Sequence, residues 1–116
     1  MGDHPIEGIR GVLSSITDKG IDITKPLLTT FDGQVPNCDV RQNKEIQSRI
    51  IEAGYEIGEV QSYDENEVKG VLFECNKTMI LTLDAICAEY DNVDKVLSSF
   101  GGYCDGFVVT LPRSSD

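Results

Sequence analysis

The residues able to do chemistry in this chain are mostly carboxylates: 20 Asp and Glu against 10 Lys and Arg, with four cysteines and one histidine. Paired carboxylates can exchange protons in general acid–base catalysis or hold hard cations. They are densest in two places. Glu56 and Glu59 lead into Asp64, Glu65 and Glu67, and a second cluster, Glu89, Asp91 and Asp94, falls on the outer side of a long helical stretch. Neither stretch has the calcium-loop pattern, and neither has a nearby histidine or a nucleophile with an obvious base, which argues against catalysis. Each reads either as a solvated surface or as a site for electrostatic docking onto an Arg/Lys-rich protein segment, because complementary charge speeds and orients such encounters.

The thiols point the same way. Cys38, Cys75, Cys87 and Cys104 contain no close pair, whereas zinc sites and redox pairs place two ligands a few residues apart. The single histidine, His4, lies in the N-terminal lead-in. No metal and no other cofactor is expected. Cys75, Cys87 and Cys104 fall on apolar faces and read as buried free thiols that act as small hydrophobes.

A formal net charge of −10 excludes most modes of nucleic-acid binding, which need clustered Lys and Arg to neutralise phosphates. Here the bases are scattered singly. No apolar run approaches the ~20 residues that cross a bilayer, and MGDHPIEGIRG lacks the basic and apolar regions of a secretory signal. The expectation is a soluble cytoplasmic protein with a protein partner, no direct nucleic acid and no membrane. Residues 1–116 are expected to form one domain, large enough to bury roughly two thirds of the surface of the unfolded chain.

The elements that must position these residues follow from periodicity. Ile6, Ile9, Val12, Leu13 and Ile16 recur at helical spacing after Asp3-His4-Pro5 and stop at Lys19-Gly20. Thr24 to Phe31 alternates as a strand, with Asp32-Gly33 as its expected end and Val35-Pro36-Asn37 as loop. Asp39 with Gln42 forms a capping box for a second helix, whose inner stripe is Ile46, Ile50 and Ala53 and whose terminator is Gly54. Tyr55 to Val60 reads as a strand with a bulge at Gly58. Ser62 to Gly70 is expected as a hairpin loop, and Val71, Phe73 and Cys75 as the returning strand, running past Cys75. Thr82 caps a long helix whose stripe is Leu83, Ile86, Cys87, Tyr90, Val93, Leu97 and Phe100, with Asp91-Asn92 as a weak spot where it could kink. The last strand carries Tyr103, Phe107, Val109 and Leu111, and the tail RSSD is expected to fray.

The order is α, β, α, β, β, α, β. Without its first helix this is βαββαβ, the α+β ferredoxin-like arrangement of two helices on one face of a four-stranded antiparallel sheet, here with an additional N-terminal helix. Leu28, Thr30, Leu72, Glu74 and Val108 would then lie on the other, open face. That architecture hosts many functions and decides none.

Three further stretches narrow the reading. Gly54-Tyr55-Glu56 stands at a helix-to-strand junction, a long acidic helix follows from Asp84 to Phe100, and the chain closes with Tyr103-Cys104-Asp105-Gly106-Phe107. Together with Asp18-Lys19-Gly20-Ile21-Asp22 these resemble the family of the regulator of ribonuclease E activity B, from about Ile9 to Leu111. Phe107 stands where that family commonly has Trp. The resemblance implies a small acidic ferredoxin-like protein that is not an enzyme and that binds the non-catalytic part of ribonuclease E, lowering RNA-decay activity.

Asp105-Gly106 reads either as an accessible contact site on a strand or as a bulge that lets Phe107 fill the core. The expected partner-binding residues are therefore Asp64, Glu65, Glu67, Glu89, Asp91, Asp94 and Asp105, with the outward acids of the long helix foremost. A basic segment of ribonuclease E is the partner that the resemblance implies. The alternatives are a small interaction or immunity-type module with another protein partner, and an enzyme or ligand binder that uses the open sheet face.

Overall fold

A computed structural model describes residues 6–65 and 68–111, the side chains of Ile6 and Glu65 excepted. The expected helix start at Asp3-His4-Pro5, the acid Glu67 and the tail from Arg113 lie outside the described residues. The elements are α1 (Ile6–Asp18), β1 (Leu27–Pro36), α2 (Val40–Glu52), β2 (Glu56–Glu65), β3 (Val68–Met79), α3 (Leu83–Ser98) and β4 (Tyr103–Thr110). The four strands form one antiparallel sheet in the order β2-β3-β1-β4. The protein is thus α+β, with three helices and a four-stranded antiparallel sheet.

Local chemistry sets the helix limits. At the start of α2 the Asp39 carboxylate accepts from the Gln42 amide at 2.8 Å, and the Gln42 side chain accepts in return from the Asp39 amide. At its end Gly54 takes φ = 102°, a left-handed conformation that costs glycine least. The Gly54 and Tyr55 amides then donate back to the carbonyls of Ile51 and Ile50, which satisfies orphan acceptors of the last turn. Thr82 caps α3 by accepting from the Ala85 amide. The helix is continuous through Asp91-Asn92.

Two strands extend beyond their expected limits. β1 does not end at Asp32-Gly33 but continues to Pro36, because β3 pairs with it along its whole length, from Leu27↔Met79 to Pro36↔Gly70. Gly33 is a close-approach residue rather than a turn: a Cβ there would collide with the side chain of Leu97 from α3. Likewise the polar stretch expected as a loop from Ser62 to Gly70 is largely strand, with the ladder reaching Asp64↔Lys69 and Glu65↔Val68. There the ring of Tyr63 lies over Gly70, where any Cβ would strike it, and strand pairing overrides the polar composition.

The core lies between the helices and one face of the sheet. Phe31, Val35, Phe73 and Cys75 point into it from the strands, Ile46 and Ile50 from α2, Ile86, Val93 and Leu97 from α3, and Ile9 and Ile16 from α1. Each such large side chain contributes about 1.5–3 kcal/mol by leaving water. α3 sits centrally, touching β1 and β4 and flanked by α2 and α1, so the additional helix packs beside it. Among the described residues no helix covers the opposite face of the sheet. Leu28, Leu72 and Val108 are exposed there, as the alternation predicts.

Candidate docking face

The open face owes its character to two bulges. On β2, Ile57 pairs with Cys75 and Val60 with Phe73, so Gly58 and Glu59 together oppose Glu74. On β4, Cys104 pairs with Gly33 but Gly106 pairs with Asp32, leaving Asp105 as the extra residue. A bulge inserts one residue and resets which side chains face each way. Cys104 consequently points into the core, and Tyr103 and Asp105 are exposed. Asp32 and Glu74 are direct cross-strand partners between the two bulged strands.

The result is a row of four carboxylates, Glu59, Glu74, Asp32 and Asp105, one from each strand, running across the sheet. They line an open groove of about 250 Å³ together with Gln61 and Leu72. The adjacent position on one side carries Leu72, Gln34 and Tyr103, and on the other Asn76, Thr30 and Val108. The Tyr103 hydroxyl donates to Gln34 at 2.7 Å and the Gln34 amide donates to the Tyr63 hydroxyl at 2.8 Å, a polar shelf that closes one end. No Lys or Arg occupies an outward position beside the row on β1, β3 or β4.

Like charges directly opposite on neighbouring strands repel. Partial burial raises the pKa of Asp32 above the usual carboxylate range, and the charges of Glu74 and Asp105 add to that. The Glu59 amide donates to Glu74 at 2.9 Å and partly compensates it. Among the described residues no group of His, Cys, Asp and Glu is arranged to hold a metal ion. A line of acids differs from a coordination cage in that its members do not converge on one point. The groove lining offers carboxylates, the Gln61 amide and apolar groups, with the Tyr103 and Tyr63 hydroxyls at its margin.

The other expected site residues are placed differently. Asp64 and Glu65 stand at the far end of β2, Asp64 exposed and opposite Lys69, away from the row. Two of the acids expected on the outer side of α3 instead bolt that helix to the sheet. Glu89 forms an ion pair with Lys77 at 2.6 Å and accepts from the Tyr55 hydroxyl at 2.6 Å. Asn92 donates to the same hydroxyl, and the Lys77 ammonium lies 5.5 Å from the centre of the Tyr55 ring. Burial alone would raise the Glu89 carboxyl, but the hydrogen bonds from Lys77 and Tyr55 and the lysine charge hold it below its ordinary value. Asp94 accepts from the Cys104 amide at 2.9 Å and so anchors the start of β4. Asp91 is half-buried on the same helix. Glu89 lies three residues after Ile86 and four before Val93, which puts it on the flank of the buried stripe rather than opposite to it.

Of the expected acids among the described residues, then, Asp105 joins the row. Of the other row members, Glu59 figures in the sequence only as leading into the hairpin acids, and Asp32 and Glu74 are not among the expected partner-binding residues. Their only sequence signal is parity: Asp32 follows the inward Phe31, and Glu74 lies between the inward Phe73 and Cys75.

Fold and surface together define an acidic α+β protein whose helices cover one sheet face and whose other face gathers carboxylates. Compared with known families, residues 7–109 match the regulator of ribonuclease activity B. The chain belongs to that family. No curated protein matches it.

Proposed function

We propose that this protein regulates a ribonuclease without itself catalysing a reaction, by docking its open sheet face onto a basic segment of ribonuclease E in the cytoplasm. The family description supplies the target class, and the βαββαβ remainder with its β2-β3-β1-β4 sheet supports a ferredoxin-like fold with an added helix. The observation that carries the docking mode is the uncovered row of Glu59, Glu74, Asp32 and Asp105. A cationic partner relieves the mutual repulsion of these groups and gains from their field. The hairpin acids Asp64, Glu65 and Glu67 add attraction at longer range, and Glu89, Asp91 and Asp94 contribute field from the helix side.

The test is a binding titration against the isolated basic region of ribonuclease E at low and high ionic strength. Binding that weakens steeply with salt is expected. Folded protein that fails to bind at low salt would remove ribonuclease E as the target.

A further inference from the structure

We propose that the occupant of the open sheet face is an α-helix laid across the strands, carrying about one Arg or Lys per turn. This deepens the docking reading above and rests on it for the location of the partner. The argument is geometric. The acid row runs perpendicular to the strands, one carboxylate per strand, and neighbouring strands lie about 4.8 Å apart. Four members therefore span roughly 14 Å.

A helix presents cations on one face at i, i+4, i+7 and i+11, a run of about 16 Å at 1.5 Å per residue. Flexible Arg and Lys side chains absorb the difference. An extended segment laid in the same direction puts same-face residues roughly 6.7 Å apart, so four of them span about 20 Å and fall out of step with the row. An extended segment parallel to the strands crosses the row only once. Strand addition at a sheet edge is also disfavoured, because both edge strands, β2 and β4, are bulged at the level of the acids.

The flanks agree with a helix. A helix about 10–12 Å wide over its side chains, laid on the acid row, reaches the inner edges of the positions on either side, where Leu72 is 39% and Val108 57% exposed. The partner helix therefore carries apolar residues on both margins of its basic stripe. Tyr103, 43% exposed, offers an aromatic face to a guanidinium at the β4 end.

The experiment uses two synthetic peptides of identical composition, one helical with Arg at i, i+4, i+7 and i+11 and flanking Leu, the other broken by interior proline. Fluorescence anisotropy measures their binding to the full chain and to the Asp32→Asn/Glu74→Gln/Asp105→Asn variant, whose side chains keep their shapes. We expect the helical peptide to bind the parent at least about tenfold more tightly than the broken one, and the variant to lose roughly tenfold, as three screened charge pairs of ~0.5 kcal/mol each predict. Equal binding of the two peptides, or a variant that keeps its affinity, overturns the inference. The basic region of ribonuclease E is titrated in parallel. If it still binds the variant as well as the parent, the regulatory reading survives and this surface does not. If the parent binds the helical peptide but not the ribonuclease region, the partner class stands and the ribonuclease reading falls.

Discussion

Replacing Asp32 by Asn should make the isolated protein more stable, the opposite of the usual outcome for a residue in the middle of a sheet. Asp32 faces Glu74 directly across the ladder, and Asp105 bulges toward it from the other side. Two unit charges about 6 Å apart repel by roughly 0.7 kcal/mol in water and by more where protein displaces solvent. Cross-strand like-charge pairs cost ~0.2–1 kcal/mol. Asp32 is half-buried on the rim of an open groove and is partly screened by solvent, so two such neighbours amount to about 1 kcal/mol rather than the several that a fully buried site would give. For a chain of this size that raises the melting temperature by about 4 °C.

The sign of the pH dependence is fixed by the raised pKa of Asp32. Below the ordinary carboxylate pKa the group is protonated in both folded and unfolded chains, and Asn changes little. As pH rises through the ordinary value the unfolded chain ionises first, and the penalty on the folded state grows until the pH passes the folded pKa. The advantage of the variant is therefore full at neutral pH and absent near pH ~3. It should also shrink in about 1 M salt, where the Debye length falls to roughly 3 Å. Differential scanning calorimetry across that pH and salt grid is the assay. A variant that is less stable at neutral pH, or equally stabilised at both pH extremes, refutes the repulsion argument.

The helix side of the molecule should behave in the opposite sense. Glu89→Gln should cost about 1–2 kcal/mol at neutral pH in urea denaturation, because it weakens charged hydrogen bonds to Lys77 and Tyr55. The depressed pKa of Glu89 gives stability that is present above the ordinary carboxylate value and is lost as pH falls through the folded pKa, so parent and variant should converge in acid. Gly33→Ala forces the buried Leu97 to move and should cost ~1–3 kcal/mol by the same measurement. The thiols of Cys75 and Cys104, pushed up to about 12 chiefly by burial, should resist thiol-labelling reagents until the protein unfolds, which a labelling time course in rising urea reads directly.

Where one residue's chemistry decides the outcome, the sequence was readable. The Asp39–Gln42 capping box, the Thr82 cap, the Gly54 terminator and the Gly58 bulge all occur where their side chains, or the absence of one, dictate. Where the outcome depends on a partner strand, it was not. Asp32-Gly33 looks like a turn until β3 and β4 are seen to pair across it, and Ser62 to Gly70 looks like a loop until Tyr63 is seen packed over Gly70. The same limit governs the site. An acid row made of one residue per strand has no sequence spacing at all, since Asp32, Glu59, Glu74 and Asp105 meet only through register.

That limit also explains why the long helix drew attention first. Glu89, Asp91 and Asp94 form a visible cluster within six residues of chain, yet Glu89 and Asp94 are held by Lys77, Tyr55 and the Cys104 amide, and the Lys77 charge offsets that of Glu89 where it arises. Asp32 and Glu74 are dispersed in sequence and concentrated in space, with the Glu59 amide donating to Glu74. Local charge density along a chain measures the first arrangement, whereas a docking partner encounters the second. An uncompensated repulsion of about 1 kcal/mol on a face without helix cover is a cost to the free protein that a cationic partner removes on binding. The same groups should therefore make the free protein weaker and its complex stronger.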